Sequence, residues 1–96
     1  MAVGDVVTDL QSITTTSYLT IQPGAGVEWV IHNIYGAADC EVSRYDGTDE
    51  SLIDTSPTVG RWWSNLQLHL TNGQYLRIRN INAASKVIGY DGVVTK

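Results

Sequence analysis

The chain is poor in charged residues, cysteine and proline, and it has no long apolar run. Charged residues make up 17% of its 96 residues, against about a quarter in typical soluble domains. Six basic residues against ten acidic ones give a net charge of −4, which argues against a nucleic-acid-binding surface. No apolar run approaches the roughly 20 residues that a membrane-spanning helix needs. We therefore expect a soluble protein with neither a nucleic-acid nor a membrane partner.

The scarcity of cysteine removes one source of stability and one kind of chemistry. Cys40 is the only cysteine, so it has no partner for an internal disulfide. Because free cysteines are often buried, we expect Cys40 to be a small apolar residue on a strand rather than a nucleophile. The first five residues lack the basic and apolar segments of a secretion signal. The sequence thus predicts a protein made in a cytoplasm.

The sequence contains the patterns of several short strands. No segment has helical periodicity over ten or more residues, whereas Leu66, Leu68 and Leu70 alternate with polar residues as in a strand. Turn signals separate such segments every 8–12 residues, which is typical of sandwiches and barrels. We predict an all-β, single-domain β-sandwich of jelly-roll type, or a flattened barrel. Residues 1–16 would form an N-terminal arm or edge strand, and residues 17–96 the sandwich.

The two halves of the chain form an internal sequence repeat. Residues 19–47 and 68–92 share Ile-x-Asn-Ile, Ala-Ala and Val-x-x-Tyr-Asp-Gly in the same order. The shared residues are turn and core types, so we predict two related strand meanders that pack face to face. The predicted core includes Trp29, Ile31, Leu68 and Ile78. Residues that occur in both copies of this repeat are predicted to belong to the scaffold. They are Asn33 and Asn80, Tyr45 and Tyr90, and two Asp-Gly turns, Asp46-Gly47 and Asp91-Gly92.

No catalytic or metal-binding pattern stands out. His32 and His69 lie on predicted strands but lack the His-x-His pair and the glutamate of cupin-like metal barrels. The acidic segment 46–50 lacks the ligand spacing of a calcium loop, and no serine lies in a Gly-x-Ser-x-Gly elbow. We expect no enzyme, no metal site and no cofactor, so the acidic segment would be a solvated hairpin tip.

One predicted strand and one aromatic cluster favour a protein interface. Residues 27–35 are apolar at both odd and even positions, as in a strand that is buried on both sides or that faces both the core and a partner subunit. Adjacent tryptophans on a strand point to opposite faces, and aromatic residues with arginine are enriched at interfaces. The same cluster would also suit a plain core with solvated arginines, or stacking on a sugar. The candidate interface residues are Trp62, Trp63, Tyr75, Arg77 and Arg79.

Three segments carry a resemblance to known proteins. Residues 18–29 (YLTIQPGAGVEW), 75–80 (YLRIRN) and 89–96 (GYDGVVTK) resemble small β-rich virion proteins of tailed bacteriophages, either capsid decoration (cement) proteins or head-fibre-like modules. The resemblance implies a non-enzymatic structural protein located in the virion. It also implies a homo-oligomer, with a trimer favoured, that binds the major capsid protein or another virion protein. The alternative is a carbohydrate-binding β-sandwich involved in host recognition.

Overall fold

The computed structural model describes residues 2–36, 38–56 and 60–96, and the regular elements in these ranges are all β-strands. They form two antiparallel sheets, so the predicted all-β, sandwich-like fold is confirmed. The strands are β1 (Val6–Ile13), β2 (Tyr18–Ile21), β3 (Trp29–Gly36), β4 (Cys40–Tyr45), β5 (Glu50–Thr55), β6 (Arg61–Trp63), β7 (Leu68–Leu70), β8 (Tyr75–Asn80) and β9 (Lys86–Val94).

The strands divide into two sheets of similar size. In sheet I the order is β1-β9-β3, and both β6 and β7 pair with the other edge of β3. In sheet II the order is β2-β8-β4-β5. Strand β1 lies at the edge of sheet I and pairs with β9 from Val6↔Val93 to Ile13↔Lys86. Each sheet therefore has an inner face toward the other sheet and an outer face that no other strand of the described residues covers.

The inner faces bury a core of aliphatic and aromatic side chains. Strand β8 shows the cause, because Leu76, Ile78 and Asn80 alternate as buried residues with three half-buried outward residues, as the two-residue period of a strand requires. Of the four predicted core residues, Trp29, Ile31 and Ile78 are buried, and Leu68 packs partly buried against them. Cys40 is also completely buried, as predicted.

The predicted pair of meanders is wrong. In a meander successive strands are neighbours, but β2, β3 and β4 lie in sheets II, I and II, and β7, β8 and β9 lie in sheets I, II and I. Within the described residues, only β4 and β5 are consecutive strands that pair. The physical reason is that a turn signal such as Pro23-Gly24 reverses the chain without specifying the sheet to which it returns. The two copies of the repeat are thus related segments whose successive strands alternate between the two sheets.

One of the two predicted Asp-Gly turns is also wrong. Gly47 has a φ of 98° and belongs to the β4–β5 hairpin, whereas Gly92 lies inside β9. A β-carbon built on Gly92 would overlap the backbone oxygen of Val30. The glycine at position 92 therefore permits close strand packing, and the same dipeptide has two different structural roles.

Candidate interaction surfaces

The five predicted interface residues do not form one cluster. Trp62 lies on the outer face of sheet I and is 65% exposed. Its neighbour Trp63 points the other way, packs partly buried against the core, and donates from Nε1 to Asp54 Oδ2 at 2.8 Å. The other three, Tyr75, Arg77 and Arg79, lie on the outer face of sheet II. The structure thus describes two separate surfaces.

The outer face of sheet I is built from rows of side chains that cross the strands. The upper row is apolar at both ends, the middle row is polar, and the lower row is mostly valine. The upper row is Leu10, Gly89, Tyr35 and Trp62; the middle row is Thr8, Asp91 and Asn33; the lower row is Val6, Val93, Val30 and His69.

This face collects most of the exposed large apolar side chains of the strands in sheet I. Val6 is 70% exposed and Leu10 is 65% exposed on β1, and Val87 is 56% exposed on β9. Trp62 completes the set on β6, with its ring 6.3 Å from that of Tyr35. These side chains lie on both sides of the polar middle row, so the face is mixed, and a sheet face that exposes several large apolar side chains is a candidate site of association.

The polar middle row is hydrogen-bonded within the face. Asn33 Nδ2 donates to Asp91 Oδ1 at 2.8 Å, and the Tyr35 hydroxyl donates to Asp91 Oδ2. The hydrogen bond to Asp91, with some desolvation, raises the pKa of Tyr35. Both carboxylate oxygens therefore have a donor, so covering this row with another protein would leave neither oxygen without a partner.

The free edge of β1 is partly blocked by its own side chain. The Leu10 backbone N–H donates to Asp9 Oδ1 at 2.9 Å, and Gln11 Nε2 donates to Asp9 Oδ2 at 2.5 Å. A charged side chain on an edge strand is a common protection against strand addition. Sheet I is thus better suited to contacts through its face than through this edge.

The outer face of sheet II centres on Arg77. Its guanidinium carbon lies 4.0 Å from the ring centre of Tyr18 and 3.7 Å from that of Tyr45, so the cation is held between two rings. Arg77 Nη2 also lies 2.5 Å from Glu50 Oε2. Tyr75 meets Tyr45 edge to face, with ring centres 5.7 Å apart. We call these five residues the arginine–tyrosine cluster.

A small hollow adjoins this cluster at the β4–β5 hairpin. It has a volume of about 190 Å³, and Tyr45 and Glu50 belong both to it and to the cluster. Asp46 Oδ1 accepts the backbone N–H groups of Asp49 and Thr48, which lower the pKa of Asp46. The hollow thus combines an aromatic ring with carboxylate and amide groups. Its remaining lining residues are Arg44, Asp46, Asp49, Ser51 and Gln74.

The remaining candidates of the sequence do not converge on a site. The half-buried His32 places Nδ1 3.2 Å from the carbonyl oxygen of Leu66, while His69 is exposed on the outer face of sheet I. Across residues 2–36, 38–56 and 60–96, no three histidine, cysteine or acidic side chains lie close enough together to hold a metal ion. The same residues contain no helix capable of crossing a bilayer.

Sequence reasoning missed most of the outer face of sheet I. Leu10 and Val6 belong to a segment with few large apolar anchors, and their partners lie about 80 residues away on β9. It also assigned Tyr45 to the scaffold with Tyr90, yet Tyr45 faces outward against Arg77 while Tyr90 is buried in the core. Tyr18 carried no signal of its role beside Arg77.

The fold and these two surfaces define an all-β domain with one apolar face and one arginine–tyrosine face. No protein-family model matches the chain, and no curated protein was found to be similar to it in sequence.

Proposed function

We propose that this chain is a non-enzymatic structural protein of a virion, of the capsid decoration or cement type, that oligomerises and binds the capsid lattice. The observation that carries the proposal is the apolar outer face of sheet I, with Leu10 and Trp62 exposed at its two ends. A face of this composition favours permanent contact with protein over contact with water. The resemblance of residues 18–29, 75–80 and 89–96 to phage virion proteins supports the placement in a virion.

We further propose that the fold is a jelly roll, and the strand pairing supports this. If β6 and β7 are counted as one interrupted strand, the chain has eight strands that pair as first with last, second with seventh, third with sixth and fourth with fifth. A long antiparallel ribbon with its tip at the β4–β5 hairpin has this pairing. Folding that ribbon over itself produces two four-stranded sheets, as in jelly rolls.

The assembly role is also consistent with the small size of the domain and with its second surface. A domain of 96 residues buries only about 60–65% of the surface of its unfolded chain, so burial against other subunits would add stability. The arginine–tyrosine cluster on the opposite sheet is a second surface, separate from the apolar face, that can contact the capsid. Arginine and tyrosine are among the residues enriched at protein contacts.

Particle composition tests this function directly. Particles released from cells that carry the gene are purified by density gradient and analysed by mass spectrometry. We expect the chain to sediment with the particles at a fixed ratio to the major capsid protein. A particle fraction that lacks the chain, while the chain is abundant in the particle-free lysate, would contradict the proposal.

Binding of a carbohydrate is the second candidate, and the hollow beside Tyr45 favours it. An aromatic ring with nearby carboxylate and amide groups suits the apolar face and the hydroxyl groups of a sugar ring. Trp62 lies on the other sheet, so its fluorescence is a poor reporter of this hollow. Saturation-transfer NMR with neutral monosaccharides is the better measurement, with Gln74→Ala expected to reduce the transfer and Glu41→Gln, outside the hollow, as control. No transfer to any sugar would remove this candidate.

A further inference from the structure

We infer that the outer face of sheet I binds a second copy of this chain face to face, about a twofold axis parallel to the strands. In this arrangement Leu10 of one copy packs against Trp62 of the other. The inference rests on the proposed assembly function, and it adds the identity of one partner and the geometry of contact. The proposed contact surface consists of the upper, middle and lower rows.

Charge favours a second copy at this face. Each chain carries a net charge of −4, so two copies repel each other unless they meet through surfaces with little charge. The three rows contain no lysine or arginine, and their only carboxylate, Asp91, is hydrogen-bonded to Asn33 and Tyr35. This face is therefore one through which two chains of the same charge can approach closely.

The order of residues within each row selects the axis. A twofold axis parallel to the strands, between β9 and β3, places β1 opposite β6 and β7, and β9 opposite β3. Each row then meets itself in reverse. The facing pairs are Leu10 with Trp62, Gly89 with Tyr35, Asp91 with Asn33, and Val93 with Val30.

These facing pairs are complementary in chemistry. The Leu10 side chain of the same copy covers the space over Gly89, so the Tyr35 ring meets an apolar surface there, and the Asp91 carboxylate meets the Asn33 amide. An axis across the strands would instead place Asp91 of one copy directly opposite Asp91 of the other, whereas the axis along the strands offsets the two carboxylates sideways by one strand spacing of about 4.8 Å. Repulsion between like charges decreases with distance. The rows thus favour the axis along the strands.

The size of the face sets the expected affinity. Four strands spaced about 4.8 Å apart, with the five residues of about 3.4 Å each that the three rows span on β1 and β9, cover roughly 330 Å² per copy. The total of roughly 650 Å² of projected area is below the low end for specific complexes, which bury about 1,200–2,000 Å². We therefore expect dissociation in the micromolar range. A face that is its own partner closes with two copies, whereas the trimer that the resemblance favours needs two different surfaces.

Sedimentation equilibrium tests the contact, and matched variants locate it. Over about 1–500 µM, a range that brackets micromolar dissociation, the native chain should pass from monomer to dimer. Leu10→Asp and Trp62→Asp should each raise the dissociation constant at least about tenfold. Ile81→Asp changes an apolar residue that is 41% exposed outside the rows and should leave it unchanged. A native chain that stays monomeric throughout, or equal effects of all three variants, would overturn the inference.

Crosslinking tests the axis without relying on a destabilising charge. Packed sheets stand about 10 Å apart, too far for a disulfide, so a short bismaleimide is used, and the buried Cys40 is shielded from it. Mixing Leu10→Cys with Trp62→Cys should give a crosslinked pair, whereas mixing Leu10→Cys with Val6→Cys should not. The reverse result would overturn the proposed axis.

The two proposals fail in distinguishable ways. If the isolated chain is monomeric but sediments with particles, the self-association is wrong and the virion function stands. If the chain dimerises through the three rows but is missing from particles, the self-association stands and the virion function is wrong.

Discussion

Gly92 of β9 lies directly against the backbone carbonyl of Val30 in β3, so closely that a β-carbon on Gly92 would overlap the carbonyl oxygen. The contact occurs beside an irregularity in the pairing of the two strands, where the register shifts between Ile31 and Asn33. Gly92 is not among the glycines with positive φ, so the space available, and not the backbone conformation, restricts this position to glycine.

Replacing Gly92 with alanine should therefore destabilise the fold. The new methyl group forces two central strands of sheet I apart, and overpacking of this kind costs about 1–3 kcal/mol. Gly73→Ala is the matched control, because a β-carbon there has no neighbour within 4 Å and its φ is not positive. Urea unfolding of dilute protein measures both. A Gly92→Ala variant as stable as the Gly73→Ala variant would contradict the close packing seen here.

Asn80 provides a second test, because it is fully buried but polar. Its Nδ2 donates to the carbonyl oxygens of Ile13 at 2.8 Å and Ala84 at 2.9 Å, and its Oδ1 accepts the backbone N–H of Asn82. Ile13 ends β1 in sheet I, whereas Asn80 ends β8 in sheet II. The side chain therefore connects the two sheets at one end of the core.

Asn80→Ala should lower the free energy of unfolding by about 2–3 kcal/mol, because the buried carbonyl oxygen of Ile13 loses its donor. Asn80→Asp preserves the shape but places a carboxyl group against two carbonyl oxygens, so we expect at least the same loss. Asn72→Ala removes one hydrogen bond, to Pro23, from an exposed turn and should cost about 1 kcal/mol or less. Chemical denaturation compares the three, and equal losses at positions 80 and 72 would argue against the role of Asn80.

The positions of the strands could be predicted from the sequence, but their partners could not. Alternation at Leu66, Leu68 and Leu70 is a local signal, and β7 covers the last two of these leucines while Leu66 precedes the strand. Which sheet a strand joins depends on contacts between distant segments, such as β1 with β9. No local pattern encodes these contacts. The internal repeat was therefore interpreted wrongly as two meanders.

For the candidate surfaces too, the sequence predicts local features but not which residues the strand pairing brings together. The exposure of Trp62 and the partial burial of Trp63 follow from strand alternation, and the structure agrees. Leu10 belongs with Trp62 only because β9 and β3 lie between β1 and β6 in sheet I. Tyr45 and Tyr90 are equivalent positions of the internal repeat, but they lie in different environments. Identical sequence neighbours do not determine which side of a strand faces the core.

The arginine–tyrosine cluster allows the stacking and the ion pair to be separated. The Arg77 side chain is only 20% exposed between its two rings, while Glu50 is 38% exposed. Ion pairs open to solvent contribute about 0.2–1 kcal/mol, whereas a cation held between rings contributes through packing as well. We expect Arg77→Lys to cost about 1 kcal/mol and Glu50→Gln less than half of that.

Urea unfolding at low salt and at about 1 M salt measures the two contributions, because salt screens the ion pair and not the packing. The cost of Glu50→Gln should disappear at high salt, and most of the cost of Arg77→Lys should remain. Arg79→Lys is the control, since Arg79 lies 5.8 Å from the centre of the Tyr18 ring and should lose less. A larger cost for Glu50→Gln than for Arg77→Lys would assign the stabilisation to the ion pair.

Asp46 should make the stability of the β4–β5 hairpin depend on pH. The backbone N–H groups of Asp49 and Thr48 bond to Asp46 Oδ1 and lower its pKa in the folded chain. A carboxyl group whose pKa is lowered by folding stabilises the folded state above its unfolded pKa, near 3.9. That contribution is lost as the pH falls through the lower folded value, because both states then bind the proton.

Asp46→Asn isolates this effect, because the amide oxygen can still accept the two N–H groups but the side chain no longer titrates. The melting temperature of the native chain minus that of Asp46→Asn should be constant at neutral pH and should decrease as the pH falls below about 4. Asp49→Asn is the control, since the Asp49 carboxyl accepts no hydrogen bond from the residues described. Scanning calorimetry between about pH 7 and pH 2 gives both differences. A difference for Asp46→Asn that stays flat or grows on acidification would show that the two N–H bonds do not favour the charged carboxylate.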